Sequence, residues 1–175
     1  GNGTTTSYQQ NARLWPSTFR VQSSSMVYAN TAYGYDSAGN LTSIGDSVDS
    51  TLNRILDYDG INRLTSATGL WGSGIISYSG AGNIVSQSFG GVALNYIYDG
   101  SNRLASVSGS RSASYGYDAY GNATSAGSTT YAYDGAPNLR CVNCSNSSTK
   151  IEYGYDGLNQ RVVATKAGVK AYEIY

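Results

Sequence analysis

The chain has 175 residues, of which 13% are charged with no net charge, and it contains 22 Gly, 17 Tyr, two Pro, two Phe and no His. The neutral balance argues against a nucleic-acid partner, whose phosphates need a positive field. Without an imidazole, Ser–His and Cys–His nucleophile systems are excluded, and no apolar run approaches the ~20 residues of a membrane-spanning helix.

In chain order, Asn2-Gly3 reads as a hairpin turn with almost no strand before it. A worn copy of a repeat follows, Tyr8-Gln9-Gln10-Asn11-Ala12-Arg13-Leu14. Leu14 to Tyr28, with Trp15-Pro16 and Phe19, reads as a strand pair with a degenerate turn. Then comes a clear copy, Tyr35-Asp36-Ser37-Ala38-Gly39-Asn40-Leu41. Asp46 to Arg54 is the stretch with a helical turn. The repeat returns as Tyr58-Asp59-Gly60-Ile61-Asn62-Arg63-Leu64, and a Gly-rich turn around Trp71 lies between Gly69 and Gly74. Next are Tyr78-Ser79-Gly80-Ala81-Gly82-Asn83-Ile84, Tyr98-Asp99-Gly100-Ser101-Asn102-Arg103-Leu104 and Tyr117-Asp118-Ala119-Tyr120-Gly121-Asn122-Ala123. Tyr133-Asp134-Gly135-Ala136-Pro137-Asn138-Leu139 is looser, Cys141 to Thr149 reads as a polar loop, and Tyr155-Asp156-Gly157-Leu158-Asn159-Gln160-Arg161 is the last copy. Tyr172 to Tyr175 looks like the strand of one more repeat without its turn. Both ends thus read as cuts through repeats, and residues 1–175 as one repeat region within a longer polypeptide.

Successive repeat tyrosines are separated by 27, 23, 20, 20, 19, 16 and 22 residues. A unit of that size is one supersecondary element that must stack on its neighbours to bury a face. Before each turn the pattern alternates with period two, as in Tyr33/Tyr35, Tyr96/Tyr98, Tyr115/Tyr117, Tyr131/Tyr133 and Tyr153/Tyr155. Each pair puts two rings on one face of a strand. The residue between is usually small (Gly34, Ser77, Gly116, Ala132, Gly154), so the other face is thin.

The turn chemistry is specific. Asp36, Asp59, Asp99, Asp118 and Asp156 suit the first position of a type I turn, where the carboxylate accepts backbone N–H groups two residues on. Three residues later the chain must enter the left-handed region and close a three-residue hairpin with a bulge. Gly39, Asn62, Gly82, Asn102, Gly121 and Asn159 occupy that position, and Gly and Asn tolerate it best. Ser79 is a weaker acceptor, and Pro137 cannot take a positive φ, which predicts a different turn there. In this register Asp36 opposes Asn40, Tyr35 opposes Leu41, and Asp59–Arg63 and Asp99–Arg103 become exposed cross-strand ion pairs of small worth.

Local chemistry is sparse. Cys141-Val142-Asn143-Cys144 lacks the four ligands of a zinc site within one chain. It reads as a loop disulfide or two inert thiols, or as a half-site shared between molecules. Catalytic carboxylates must converge on one point, whereas an Asp per repeat is spread along an edge. Asp46-Ser47-Val48-Asp49 resembles half a calcium loop without its regular ligand spacing. No motif supports a nucleophile activated by Lys150, Lys166 or Lys170. The Asn40-Leu41-Thr42 and Asn122-Ala123-Thr124 triplets arise from the repeat itself and are weak glycosylation signals. No catalytic, cofactor or metal residue is assigned. A tyrosine ladder can also stack on sugars.

The Tyr-Asp-x-x-(Gly/Asn)-(Arg/Asn)-Leu copies resemble the YD repeats of the RHS family, which includes bacterial polymorphic toxins, the C components of insecticidal toxin complexes, and teneurins. The resemblance runs from Asn2 to Tyr175. It implies an all-β fold in which successive antiparallel hairpins form a curved, spiralling single-layer sheet, a segment of a hollow shell. In toxin members such a shell encloses a C-terminal toxic domain; in teneurins it serves cell-surface adhesion. The self-cleaving core-end segment of many toxin members has no counterpart here. The resemblance implies a non-catalytic wall, secreted or on a bacterial cell surface, whose partners are further repeats and a toxin or effector domain of its own polypeptide. The alternatives are an adhesion or glycan-binding module, and a fibre assembled through open sheet edges.

Overall fold

The computed structural model describes residues 2–136 and 138–173. Among them are strands and a single three-residue 3-10 turn, Ser50–Leu52. The chain divides into two units, 1–95 and 96–175, and each is a run of antiparallel neighbours.

In the first unit the strands are β1 (Thr5–Gln10), β2 (Pro16–Gln22), β3 (Val27–Tyr35), β4 (Leu41–Asp46), β5 (Arg54–Tyr58), β6 (Leu64–Gly69), β7 (Gly72–Tyr78) and β8 (Ile84–Phe89), followed by β9 (Val92–Tyr98), within which the division falls. Each pairs with the next in sequence. The second unit continues with β10 (Leu104–Gly109), β11 (Ala113–Tyr117), β12 (Ala123–Ala126), β13 (Thr129–Tyr133), β14 (Leu139–Val142), β15 (Ile151–Tyr155), β16 (Arg161–Lys166) and β17 (Val169–Tyr172), again paired in order. This is an all-β meander of successive hairpins.

The hairpins turn at two kinds of end. At one end sit the Tyr-Asp turns. At the other are two-residue connections such as Gly90-Gly91 (φ 55° and 79°) and Ala167-Gly168 (φ 50° and 78°). Both central residues have positive φ there, the geometry whose twist matches that of the flanking strands.

Beyond the bulge expected at the left-handed residue, every Tyr-Asp hairpin with a described register carries a second β-bulge, which the sequence reading lacks. Tyr35 pairs with Leu41 but Gly34 pairs with Ser43, so Thr42 is the extra residue. The same shift leaves Thr65, Val85, Thr124, Arg140 and Val162 unopposed in their hairpins. A bulge of this kind breaks the two-residue alternation and increases local twist. It puts Leu41 opposite Tyr35 and Ile44 opposite Tyr33, although the two aliphatics are an odd number of residues apart.

Burial is shallow. The buried apolar residues among those described are Ala67, Leu94, Val107 and Cys141. The tyrosine face is half-buried by rings and aliphatics of adjacent strands, and the other face is thin because the cross-strand neighbour occupies it. A Cβ on Gly34 would overlap the Ser43 hydroxyl, and one on Gly154 would lie 2.7 Å from a Val163 methyl.

The worn first copy is framed differently from its reading. The turn does not follow Tyr8-Gln9; it runs Asn11 to Leu14, with Leu14 N–H donating to Asn11 O at 2.9 Å and Leu14 at φ 64°. The Asn11 side chain takes the Asp role, accepting from Arg13 N–H at 2.9 Å and Trp15 N–H at 3.1 Å. Asn and Asp share the carbonyl oxygen this turn needs, so Asn11 rather than Gln9 holds the Asp position of the motif. Leu14 to Tyr28 contains β2 and the start of β3 around a turn at Ser23–Met26. The Cys141 loop begins later than expected, since Cys141 and Val142 are in β14. Pro137 and the last two residues of Tyr172–Tyr175 lie outside the described residues.

Candidate functional site: the tyrosine turn edge

Each turn is closed by its first residue. Asp59 N–H donates to Arg63 O at 2.9 Å, and Asn62 N–H donates to Asp59 O at 3.0 Å. One carboxylate oxygen accepts the N–H groups of Ile61 and Arg63 at 3.0 and 2.9 Å, and the other accepts Arg63 Nε at 2.7 Å. Asp99 repeats this with Ser101 and Arg103. In Asp36, Asp118 and Asp134 the side-chain donor is the amide of Asn40, Asn122 or Asn138 instead. Asp156 accepts the N–H groups of Leu158 and Gln160, both at 2.9 Å. The left-handed residues are Gly39 (φ 98°), Asn62 (64°), Gly82 (87°), Asn102 (63°), Gly121 (88°) and Asn159 (61°).

These bonds hold the carboxyls of Asp36, Asp59, Asp99, Asp118 and Asp134 below the ordinary aspartate range. The leading cause is the Asn40 amide at Asp36 and the Asn122 amide at Asp118. It is the backbone N–H of Arg63 at Asp59, of Arg103 at Asp99 and of Asn138 at Asp134. Partial desolvation opposes the shift in each. The carboxylates are spread along the turn edge, one per hairpin, each committed to its own turn. Asp46 is likewise a loop staple, accepting Val48 and Asp49 N–H groups at 2.8 and 3.0 Å and the Thr31 hydroxyl at 3.0 Å. Asp49 caps the 3-10 turn through Thr51 N–H.

The repeat tyrosines fasten one hairpin to the previous one. The hydroxyls of Tyr58, Tyr78, Tyr117 and Tyr155 donate to the carbonyl oxygens of Leu41, Leu64, Leu104 and Leu139 at 3.0, 2.8, 2.9 and 3.0 Å. Ladder pairing between those strands stops short of the turn: β4–β5 pairs only at Ser43–Ile55 and Ile44–Arg54. Toward the Tyr-Asp turns the strands part, and each phenol satisfies the carbonyl left without a ladder partner. This contact spans 13 to 17 residues and was not legible from spacing. The available signal was that every clear copy has Tyr there and never Phe.

The residue after the left-handed position makes a second link. Arg63 lies 4.3 Å from the centroid of the Tyr78 ring, and Arg103 4.7 Å from that of Tyr117. Each guanidinium is thus paired with its own turn Asp and laid over the next repeat's tyrosine, a cation–π contact worth about 0.5–1 kcal/mol at an exposed site. Where that residue is Asn, its amide reaches the next left-handed Asn: Asn40 Nδ2 donates to Asn62 Oδ1 at 2.8 Å and Asn138 Nδ2 to Asn159 Oδ1 at 3.0 Å. Cys141 and Cys144 form a disulfide from β14 to the following loop. No cluster of three metal-ligating side chains occurs among the described residues, nor any helix long and apolar enough to cross a membrane.

One junction departs from this pattern. It lies between the Tyr117 and Tyr133 hairpins, where β12 and β13 pair at two positions as β4 and β5 do, Ser125–Thr130 and Ala126–Thr129. Ala123 stands where four other copies have Leu (41, 64, 104 and 139), and among the described residues the Tyr133 hydroxyl has no hydrogen-bond partner. A slit of about 540 Å³ opens there, lined by Tyr131, Tyr133, Asp118 and Asp134 among others.

Stapled turns and tyrosine clasps repeated along an antiparallel meander define a YD-repeat shell segment. The family model described as the teneurin YD-shell matches residues 4–173, and the chain belongs to that family. No curated protein matches it. Similar solved structures include the Photorhabdus luminescens Tc holotoxin pore, at 16% identity over 94% of this chain and 10% of that one, with a TM-score of 0.46. The TcdB2-TccC3-Cdc42 crystal structure is similar at 16% identity over 90% of this chain and 9% of that one, TM-score 0.49. TcdB2-TccC3 is similar at 15% identity over 92% and 10%, TM-score 0.46. The chain spans about a tenth of the length of those chains.

Proposed function

We propose that residues 1–175 are one stretch of wall in the shell of a longer polypeptide, and that this shell encloses a toxin or effector domain of a secreted bacterial polymorphic toxin. The wall itself performs no catalysis. The observation that carries this reading is the recurring clasp, such as Tyr58 hydroxyl to Leu41 carbonyl, beside membership of the YD-shell family. A clasp fastens each hairpin to the one before, so a sheet of this kind extends by repetition without a deep core. The turn aspartates support the non-catalytic reading because each is engaged by its own turn and none converges with another on one point. The partners in this reading are further repeats and the enclosed domain, and the site is secreted or on the cell surface.

Limited proteolysis of the complete polypeptide tests it. The enclosed domain should resist protease while the wall is intact and be cut once clasp tyrosines in the wall are replaced by Phe in combination. A domain digested equally fast in both would overturn the container role.

A further inference from the structure

Arg63 and Arg103 sit in seats of one design. Arg63 Nε donates to Asp59 Oδ2 at 2.7 Å, and its guanidinium lies 4.3 Å from the centroid of the Tyr78 ring in the following hairpin. Arg103 Nε donates to Asp99 Oδ2 at 2.9 Å, and its guanidinium lies 4.7 Å from the Tyr117 centroid. Arg103 Nη1 also donates to the backbone carbonyl of Asp118, the turn aspartate of that following hairpin, at 3.4 Å. The fuller seat thus joins a turn carboxylate, the next repeat's tyrosine face and the next turn's first carbonyl. A planar guanidinium uses charge, π-face and fixed acceptors together.

The slit beside Ala123 has the parts of this seat without an arginine. Asp118 takes the place of Asp99, Tyr133 that of Tyr117 and Asp134 that of Asp118, and these residues all line the slit. The residue at the arginine's position is Asn122, whose short amide donates to its own turn Asp118 at 2.9 Å. The Asn40 amide goes on to the next left-handed Asn, Asn62, at 2.8 Å, but residue 137 is Pro and has no amide side chain to meet Asn122. Pro also has no N–H, so the Asp134 carbonyl lacks the turn bond that Asn102 N–H gives Asp99 O at 2.9 Å. Ala123 is smaller than the Leu at positions 41, 64, 104 and 139. The slit holds about 540 Å³, within the usual range for small-molecule sites.

We propose that this slit receives a guanidinium from outside the sheet, the head of an arginine side chain on a bound polypeptide. Among the described residues no Lys or Arg lines the slit. Arg140 acts on Asp134 from a distance and is not part of the lining. Asp118 accepts from Tyr120 N–H, Asn122 N–H and Asn122 Nδ2, each at 2.9 Å. Asp134 accepts from Ala136 N–H, Asn138 N–H and Asn138 Nδ2 at 2.9, 2.9 and 3.2 Å. These bonds fix both carboxylates and leave each with acceptor capacity, since an ionised carboxylate accepts about four bonds. The Tyr133 ring supplies the π-face. Tyr120 offers a second ring at the rim, 91% exposed on a turn pinned through its own N–H, against which the methylenes of an arginine can rest. An ammonium matches the charge but not the planar face, and an anion would meet two carboxylates. The seat does not rest on the container reading, because a wall can hold an arginine whether or not the shell encloses a cargo.

The test is titration of the full chain with Nα-acetyl-arginine amide, followed through tyrosine ring resonances at low and high salt. The lysine and citrulline compounds of the same blocked form control for planarity and for charge. Blocked arginine should bind with millimolar affinity, weaken as salt rises and shift the rings of Tyr120 and Tyr133. Blocked citrulline and blocked lysine should bind at least about tenfold more weakly. Asn122→Arg installs the residue found at positions 63 and 103 and should fill the seat from within. It should weaken binding of blocked arginine at least about tenfold while leaving the thermal midpoint unchanged or raised. Asp118→Asn combined with Asp134→Asn keeps a side-chain oxygen for each turn, as Asn11 does, and removes both charges. That variant should weaken binding by a similar factor and keeps the proposal testable if Asn122→Arg fails to fold. No binding of blocked arginine, equal binding of citrulline or lysine, or undiminished binding by folded Asn122→Arg or by the double Asn variant would each overturn the assignment.

Discussion

The Tyr58 hydroxyl donates to the Leu41 carbonyl oxygen over 3.0 Å, joining the end of one hairpin to the start of the previous hairpin's return strand. The β4–β5 ladder has already ended two residues away. A phenol therefore does what a backbone N–H does elsewhere in the sheet, and its ring covers the gap.

Removing that hydroxyl isolates its contribution. Tyr58→Phe and Tyr78→Phe should each lower unfolding free energy by about 1 kcal/mol, the net worth of one hydrogen bond. Tyr28 is 51% exposed, and Tyr28→Phe should change stability by less than about 0.5 kcal/mol. Urea denaturation of the three variants decides; equal midpoints would show that the clasps carry no weight.

The left-handed turn positions separate strain from crowding. Gly121 has φ 88° with nothing within 4 Å of an added Cβ, whereas Gly39 has φ 98° and its Cβ would meet the Trp15 ring at 2.9 Å. Gly121→Val should cost about 1–3 kcal/mol from backbone strain alone. Gly39→Val should cost more, because Trp15 must also leave its contact with Tyr35, 5.1 Å between centroids. Ala38→Val should be within about 0.5 kcal/mol of wild type. Thermal melts that rank Ala38→Val with Gly39→Val would displace the left-handed position from residue 39.

Gly74 is buried in β7, and a Cβ there would collide with the Phe89 ring. Gly74→Ala should destabilise by about 1–3 kcal/mol through overpacking. In a Phe89→Ala background the same change should cost much less, giving a coupling energy of at least about 0.5 kcal/mol in a double-mutant cycle. Additive effects would mean that the ring does not restrict residue 74.

Acid should loosen the turns. The carboxyls of Asp36, Asp59, Asp99, Asp118 and Asp134 are all held below their ordinary value of 3.8. The unfolded chain then takes up protons first as pH falls. Stability from these groups is fully present above that ordinary value and is lost as pH drops through the lower folded values. The melting temperature should be flat from neutral pH to about pH 5 and fall below about pH 4. Asp59→Asn should start lower and show a shallower acid slope; an unchanged slope in a five-fold Asn variant would remove the carboxylates as its cause.

The parts legible in advance were those whose partners lie within four residues. Asp36 and Asn40, or Asp59 and Arg63, meet because the turn between them is short, so residue type alone points to the hairpin. Asn11 escaped because the reading was keyed to Tyr-Asp. Its side-chain oxygen builds the same staple, but Leu14 in the left-handed region contradicts every local preference. Trp15, next to that strained residue, packs against Tyr35 at 5.1 Å and under Arg13 at 5.0 Å, and the contact with Tyr35 exists only once the neighbouring hairpin is in place.

By itself the sequence determined the antiparallel hairpins, the tyrosine face and the positions where the backbone turns left-handed, because backbone sterics and turn hydrogen bonds act over a few bonds. Only the folded sheet decided the bulges at Thr42 and its equivalents, the clasps from Tyr58 to Leu41 and onward, and the open slit beside Ala123. Those depend on where one strand stops matching the next, and register across a gap of some twenty residues is set by packing between hairpins rather than within one.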